Sequence, residues 1–245
     1  MVIRAPYVAR HCEPGQFIIL RVDDAGERIP LTIAEYDAGQ GTVTIIYQII
    51  GFTTRKLSEK KAGEFLEDFV GPLGKPMELR PHKRVVGIGG GVGAAPLYPQ
   101  LKRLSEMGVE VDVILGARHK NIIILEEKFR AFCKNVYIST DDGSYGTKGL
   151  VTDQLKELVV QGVTYDEVIA IGPLIMMKFV SCLTKQFGLK TSVSLNPVMV
   201  DGTGMCGGCR VTVGGETKFV CVDGPDFDGH RVDYDELMRR QGMYK

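Results

Sequence analysis

The densest chemistry in this sequence is a run of thiols near its end, DGTGMCGGCRVTVGGETKFVC. Cys206-x-x-Cys209 followed by Cys221 gathers three soft donors, the residue type that holds iron–sulfur clusters or zinc. Between Cys209 and Cys221, alternating residues flank Gly214-Gly215, the signature of a two-residue hairpin turn. With that turn setting the register, Val213 faces Glu216, Val211 faces Lys218 and Gly208 faces Cys221. Strands lie about 4.8 Å apart, so the hairpin is expected to carry Cys221 back beside the Cys206–Cys209 loop. A fourth ligand is then needed. Plant-type 2Fe–2S proteins use C-x4-C-x2-C and a distant fourth cysteine, and the residue five before Cys206 is Asp201. A carboxylate there is an anion able to complete an iron site. The reading is a 2Fe–2S centre held by Asp201, Cys206, Cys209 and Cys221. The competing reading has Asp201 capping a turn while Asp223 or Cys182 ligates. Zinc is the rival metal for three thiolates plus one further donor, although the spacing favours iron–sulfur. Cys12, Cys133 and Cys182 stand singly on apolar patterns and read as small buried residues.

A second chemical feature is the loop GIGGGVGAAP, with Gly90, Gly91 and Gly93. It follows a strand and opens a helix. Glycines there let the backbone approach a pyrophosphate at the positive helix terminus. A tight strand-to-helix turn would need glycine anyway; the βαβ setting favours a dinucleotide. The acid that would hold a ribose is not clear, since Asp112 lies inside its strand. Arg118, His119 and Lys120 either hold a 2′-phosphate or face solvent, so NAD and NADP both stay open. Two further loops fall at strand carboxyl ends, where open α/β sheets bind ligands. One is STDDGSYGTKG, with Asp141 and Asp142; the other is GPLIMMK, with Gly172 and Pro173. Met176 and Met177 in the latter fit core packing equally well.

The elements that must position these residues fall into three stretches. Residues 1–81 read as β, with QFIILRV, TVTIIYQII and FLEDFVGPLG as short strands between Gly, Pro and Asp signals. A small barrel or sandwich is expected. From Arg84 the texture alternates: RVVGIGG strand, AAPLYPQLKRLSEMG helix, VEVDVILGAR strand, LEEKFRAFCK helix, NVYIST strand, GLVTDQLKELVVQG helix, DEVIAIGP strand, LIMMKFVSCLTKQFG helix and KTSVSL strand. That order predicts a parallel sheet with right-handed crossovers over 82–195. Residues 196–245 form a glycine-rich segment around the cysteines. The predicted fold class is therefore β plus α/β with a small metal-binding appendage.

With 44% apolar residues, the 245-residue chain can bury real cores. Thirty basic residues balance thirty acidic ones, which gives no electrostatic argument for nucleic acid. No run approaches the roughly 18 apolar residues of a membrane span, and the first residues lack the apolar centre of a signal peptide. Clustered free thiols suit a reducing compartment, so a cytoplasmic protein is expected.

GERIPLTIAEYD, GPLGKP, GGGVGAAPLYP, STDDGSYGTKG and MVDGTGMCGGCRVTVGGETKFVCVDGPDFDG resemble the ferredoxin–NADP reductase superfamily. The resemblance covers essentially the whole chain. It is nearer to the branch of dihydroorotate dehydrogenase B electron-transfer subunits, and nearer still to the small subunits of NADH-dependent reduced ferredoxin:NADP oxidoreductases, in which an Asp stands for the first cluster cysteine as Asp201 does here. The resemblance implies a flavin-binding β-barrel with FAD. Thr32 in RIPLT would lie at the isoalloxazine edge with Pro30 and Leu31 beside it. Tyr47 and Gln48 would lie along the flavin, and Gly51, Thr53 and Thr54 near its pyrophosphate. Relatives begin with another strand before APYVARHCEPGQF; here that strand is expected to be largely missing, leaving the barrel incomplete or the start truncated. The implied path runs from NAD(H) to FAD to the 2Fe–2S cluster. From there it reaches a large flavin and iron–sulfur partner subunit, and through it ferredoxin and NADP(H), by electron bifurcation. No acid or base is assigned. The alternatives are the electron-transfer subunit of dihydroorotate dehydrogenase and a redox adaptor without enzymatic activity.

Overall fold

A computed structural model describes residues 1–242. The first stretch folds into a curled antiparallel sheet of strands β1 (Val2–Arg4), β2 (Phe17–Arg21), β3 (Ile29–Asp37), β4 (Thr42–Ile45) and β5 (Asp68–Leu73), ordered β1-β4-β3-β2-β5. The curl comes from β3, which pairs with β4 beyond a bulge at Ile33–Glu35 and with β2 before it. The strand expected to be largely missing is present as the three residues of β1, paired to β4. Among the described residues β1 and β5 do not pair, so the sheet is a half-barrel; helix α1 (Pro6–His11) packs against its open side. Ile18, Leu20, Ile33, Val43, Ile45 and Leu57 fill the interior.

Two expectations for this stretch are corrected. TVTIIYQII is strand only to Ile45, because β3 turns away to β2 at Ile33 and leaves the next residues without a ladder. Nor is the stretch wholly β: FTTRKLSE, which lies outside the predicted strands, forms helix α2 (Phe52–Glu59). Its Thr54 hydroxyl accepts the amides of Ile50 and Gly51 and fixes the first turn.

The second stretch forms the expected parallel sheet. Its strands are β6 (Arg84–Gly90), β7 (Glu110–Ala117), β8 (Asn135–Thr140), a short β9 (Thr147–Lys148), β10 (Glu167–Ile171) and β11 (Lys190–Ser194). Helix α3 (Ala94–Glu106) covers one face. Helices α5 (Val151–Val160) and α6 (Leu174–Gln186) cover the other. Between α3 and α5, α4 is only Glu126–Arg130, shorter than LEEKFRAFCK suggests: Leu125 precedes it with φ 61°, outside the helical range, and the chain leaves the helix in a turn at Ala131 before β8.

The C-terminal segment adds hairpin strands β12 (Arg210–Val213) and β13 (Glu216–Phe219), a one-turn helix α7 (Val220–Asp223), strand β14 (Asp226–Asp228) and helix α8 (Tyr234–Gly242). β14 joins the parallel sheet antiparallel to β11, giving the order β14-β11-β10-β6-β7-β8-β9. Val211, Val220, Cys209 and Cys221 are buried in one core with Phe17 and Ile19 of the half-barrel and Met177 and Val180 of α6. Burying each large side chain there is worth about 1.5–3 kcal/mol, so the three stretches are held together rather than tethered. Among the described residues no helix is long and apolar enough to cross a membrane.

Candidate functional site

One cleft of about 1120 Å³ runs between the half-barrel and the carboxyl ends of the parallel strands. From the half-barrel it is lined by Pro30, Leu31 and Thr32 of β3, by Tyr47 and Gln48 of the segment that leaves the ladder, and by Gly51, Thr53 and Thr54 at the start of α2. From the sheet it receives Gly90, Gly91 and Gly93 before α3, Asp141 after β8, and Gly172 and Pro173 after β10. Asp142 does not line it. Its carboxylate turns to the Ser144 amide at 2.9 Å, and bonds from Ser144 hold it below the usual carboxylate range.

Two helix N-termini open on this cleft, each with amides that have no partner within the helix. At α2 the N-cap is Gly51, and a side chain there would meet nothing within 4 Å. At α3 the chain turns through Gly91, with φ +55° and equally open space. The cleft therefore offers two cradles for phosphate, and its size suits an extended dinucleotide. Gly93 has a different reason to be glycine: a Cβ there would fall 2.2 Å from the Ile171 carbonyl oxygen, so it lets α3 start against β10. Thr32 faces Phe17 across β2–β3, at the point where β3 changes partner, and both line the cleft floor.

The structure also brings in residues that motif reading does not single out: Phe17, Glu27, Ser139, Ser194, Asn196 and Gln241. Ser194 and Asn196 follow the strand-carboxyl-end rule at β11. Glu27 and Gln241 carry no local signal. Arg118 lines the cleft, whereas Lys120 stacks over the Tyr145 ring at 5.0 Å. Met176 packs against Gly90 and Gly172 at the cleft wall, and Met177 is buried in the core.

The cysteine segment abuts this cleft. Gly202, with φ +75°, presses so closely on Ile19 and Leu73 that a Cβ would stand 2.7 Å from both side chains. The donors are grouped two and two. The Cys206 thiol lies 3.5 Å from Asp201 Oδ1, and the Cys209 and Cys221 sulfurs are 3.2 Å apart. A dinuclear centre with two protein ligands per iron fits this grouping. A single zinc ion needs three or four donors around one point, a different arrangement from this pairing. The hairpin register holds at Val213–Glu216 and Val211–Lys218. It does not extend to Gly208–Cys221: the ladder ends at Arg210–Phe219, and Cys221 is delivered by α7, whose Val220 amide bonds the Cys209 carbonyl at 3.2 Å.

Asp201 accepts the amides of Thr203 at 3.0 Å and Cys206 at 2.8 Å. The Thr203 amide first, then that of Cys206, holds its carboxyl below the ordinary range, so it is an anion. Asp223 accepts the Phe219 amide at 2.7 Å and caps α7. Cys182 lies exposed on α6. Burial, and then the Cys209 sulfur, push the Cys221 thiol up to about 12; a cation at this point reverses that by taking the thiolate as ligand.

Comparison with known proteins gives this geometry its family. Residues 196–233 match the iron–sulfur cluster binding domain of dihydroorotate dehydrogenase B, and residues 88–182 match the oxidoreductase NAD-binding domain. The chain is 47% identical to a homolog of the dihydroorotate dehydrogenase B (NAD(+)) electron transfer subunit from Thermotoga maritima, over 99% of this chain and 86% of that protein. It is 35% identical to the electron transfer subunit from Fusobacterium nucleatum, over 92% and 88%. It superimposes with a TM-score of 0.95 and 45% identity on a chain of the NADH-dependent reduced ferredoxin–NADP oxidoreductase structure, covering 100% of this chain and 88% of that one. The chain therefore belongs to the electron-transfer subunits of the dihydroorotate dehydrogenase B branch of the ferredoxin–NADP reductase superfamily.

Proposed function

We propose that this subunit passes electrons between NAD(H), FAD and a 2Fe–2S cluster, to or from a large flavin and iron–sulfur partner, in an electron-bifurcating NADH-dependent reduced ferredoxin–NADP oxidoreductase. The observation that carries the reading is the cleft onto which two helix N-termini open, with the paired cysteine loop packed on Ile19 and Leu73 of the half-barrel. When bound, nicotinamide exchanges two electrons as hydride, FAD exchanges two or one, and the cluster exchanges one.

In this reading Thr32 donates its hydroxyl to the flavin edge, with Pro30, Leu31, Tyr47 and Gln48 along the ring. Thr53 and Thr54 offer amides to the FAD pyrophosphate, and Gly51, with open space beside it, lets the pyrophosphate approach. Gly90, Gly91 and Gly93 do the same for the nicotinamide dinucleotide, and Gly172 and Pro173 close its far side. Asp141 lines the same end, with Asp142 behind it. Asp201 and Cys206 hold one iron; Cys209 and Cys221 hold the other. The buried Cys209–Cys221 side faces the core. Around exposed Cys206, Met205 is 89% exposed and Val200 53% exposed, an apolar rim suited to a partner subunit.

A second reading, the electron-transfer subunit of dihydroorotate dehydrogenase, is favoured by the identity of the relatives above. Against it stands Asp201, where the resemblance expects cysteine. Affinity purification from the native host separates the two. A large flavin and iron–sulfur subunit is expected to co-purify; a dihydroorotate-oxidising flavoprotein would establish the second reading. Anaerobic titration with NADH is expected to bleach the flavin band. A protein with flavin and cluster that neither NADH nor NADPH reduces would refute the nucleotide assignment.

A further inference from the structure

The electron path leaves unused a row of half-buried and buried polar groups along one edge of the parallel sheet. β11 and β14 pair so that Ser194 faces Asp226. Ser192, two residues earlier on β11, is level with Ile169 of β10, two residues from Glu167. Alternate positions on a strand share a face, so Ser194, Asp226, Ser192 and Glu167 project to the α3 side. At one end Ser194 lines the cofactor cleft. Beneath it, Asp226 Oδ2 accepts from Gln100 of α3 at 3.2 Å, while Oδ1 is buried and unpartnered among the described residues. Further along, the Ser192 hydroxyl donates to Glu167 Oε1 at 2.5 Å. Glu167 Oε2 lies 2.7 Å from His82 Nε2, a close contact that is not aligned as a hydrogen bond. His82 lines a second cavity of about 540 Å³, with Arg80 and Lys190, at the amino ends of the strands.

We propose that this row conducts a proton between the cofactor cleft and solvent, with Asp226 as the relay and His82 as the outlet. The proposal rests on the function proposed above. Oxidising NADH through a one-electron carrier balances as NADH → NAD⁺ + H⁺ + 2 e⁻. The C–H bond of the dihydronicotinamide breaks, both electrons leave through the cluster to a one-electron acceptor, and the proton is left in the cleft. The Ser194 hydroxyl takes it and passes its own to Asp226. Asp226 and Ser192 stand two register positions apart, so the proton crosses from one to the other by a bridging water and then moves by Glu167 to His82. Burial lifts the Asp226 carboxyl to about 6, against the pull of Ser194 and Gln100 and with a further push from Glu167, so it exchanges a proton near neutral pH. Ser194 from β11, Gln100 from α3, Glu167 from β10 and the Gly15 main chain face it.

The test uses the FAD- and cluster-loaded protein, reduced by NADH and reoxidised anaerobically by ferricyanide in weak buffer with a pH-indicator dye. In the wild type, proton release is expected to keep pace with flavin reoxidation. Asp226→Asn and, independently, His82→Gln are expected to slow release on the order of tenfold, while His82→Gln is still reduced by NADH at the wild-type rate. A redox-difference infrared band of a protonated carboxyl should be present in the wild type and missing in Asp226→Asn. Wild-type release rates in both variants overturn the path, whatever their stability, and so does a wild type without the carboxyl band. If Asp226→Asn does not fold, His82→Gln alone decides between slow release and overturn. A wild type that NADH cannot reduce refutes the function itself and the path with it, so the two failures are distinguishable.

Discussion

Asp201 has two jobs that separate experimentally. As a turn residue it accepts the Thr203 and Cys206 amides; as the ligand proposed above it would complete the first iron's pair. Asn in its place keeps an oxygen for the turn but lacks the anion. Asp201→Asn and Asp201→Ala are both expected to weaken or lose the cluster, read as iron content and the electron paramagnetic resonance signal of the reduced protein, with FAD retained. Asp201→Cys should keep a 2Fe–2S signal at a shifted potential, because carboxylate oxygen is a harder donor than sulfur. A wild-type signal in Asp201→Ala would show a turn residue only. Thr32 is tested by Thr32→Val, which keeps the shape and removes the hydroxyl. Losing one hydrogen bond of about 1 kcal/mol is expected to slow flavin reduction by NADH roughly five- to tenfold in stopped flow, with FAD bound. An unchanged rate would return Thr32 to a barrel role.

At the scale of elements, the two glycines of the α3 loop are expected to fail differently. Gly93→Ala puts a methyl into the Ile171 main chain, so it should lower the melting temperature of the whole protein. Gly91→Ala meets open space but holds φ +55°, a strain of about 1–2 kcal/mol. It should leave most of the stability and weaken NADH binding, measured as the midpoint of anaerobic flavin reduction. Equal melting temperatures for the two variants would contradict this division. The cysteine hairpin is likewise an element with a limit: its turn sets the first pairs, and α7 then takes over to aim Cys221.

For the whole molecule, Asp226 joins the half-barrel, α3 and the sheet edge in one buried spot, and its burial has a signed consequence. Its folded-state pKa is raised from 3.8 to about 6. The stability it contributes is therefore fully present below pH 3.8 and is lost as pH rises through about 6. Asp226→Asn does not titrate, so its stability relative to wild type should rise by roughly 2 kcal/mol between pH 4 and pH 7. Denaturant unfolding at several pH values measures this. A difference independent of pH would mean that the carboxyl is not titrating in the folded protein.

The sequence alone determined what local spacing can encode. Strand and helix periods over Arg84–Ser194 identify the parallel sheet, because each period is a property of one element's own backbone. Gly214-Gly215 sets the first hairpin pairs by the same local logic, and Cys206-x-x-Cys209 marks a metal loop. α2 escapes that reading because its buried side chains are only Thr53 and Leu57, too few to make a period. β14 is three residues long and exists as a strand only because the edge of β11 is there to pair with it. The departure of Tyr47 and Gln48 from their strand follows from where β3 changes partner. The meeting of two helix N-termini in one cleft, the two-and-two grouping of the cluster donors and the burial of Asp226 each depend on register and packing between residues far apart in the chain. Those are cooperative properties of the folded molecule, and only the tertiary structure decided them.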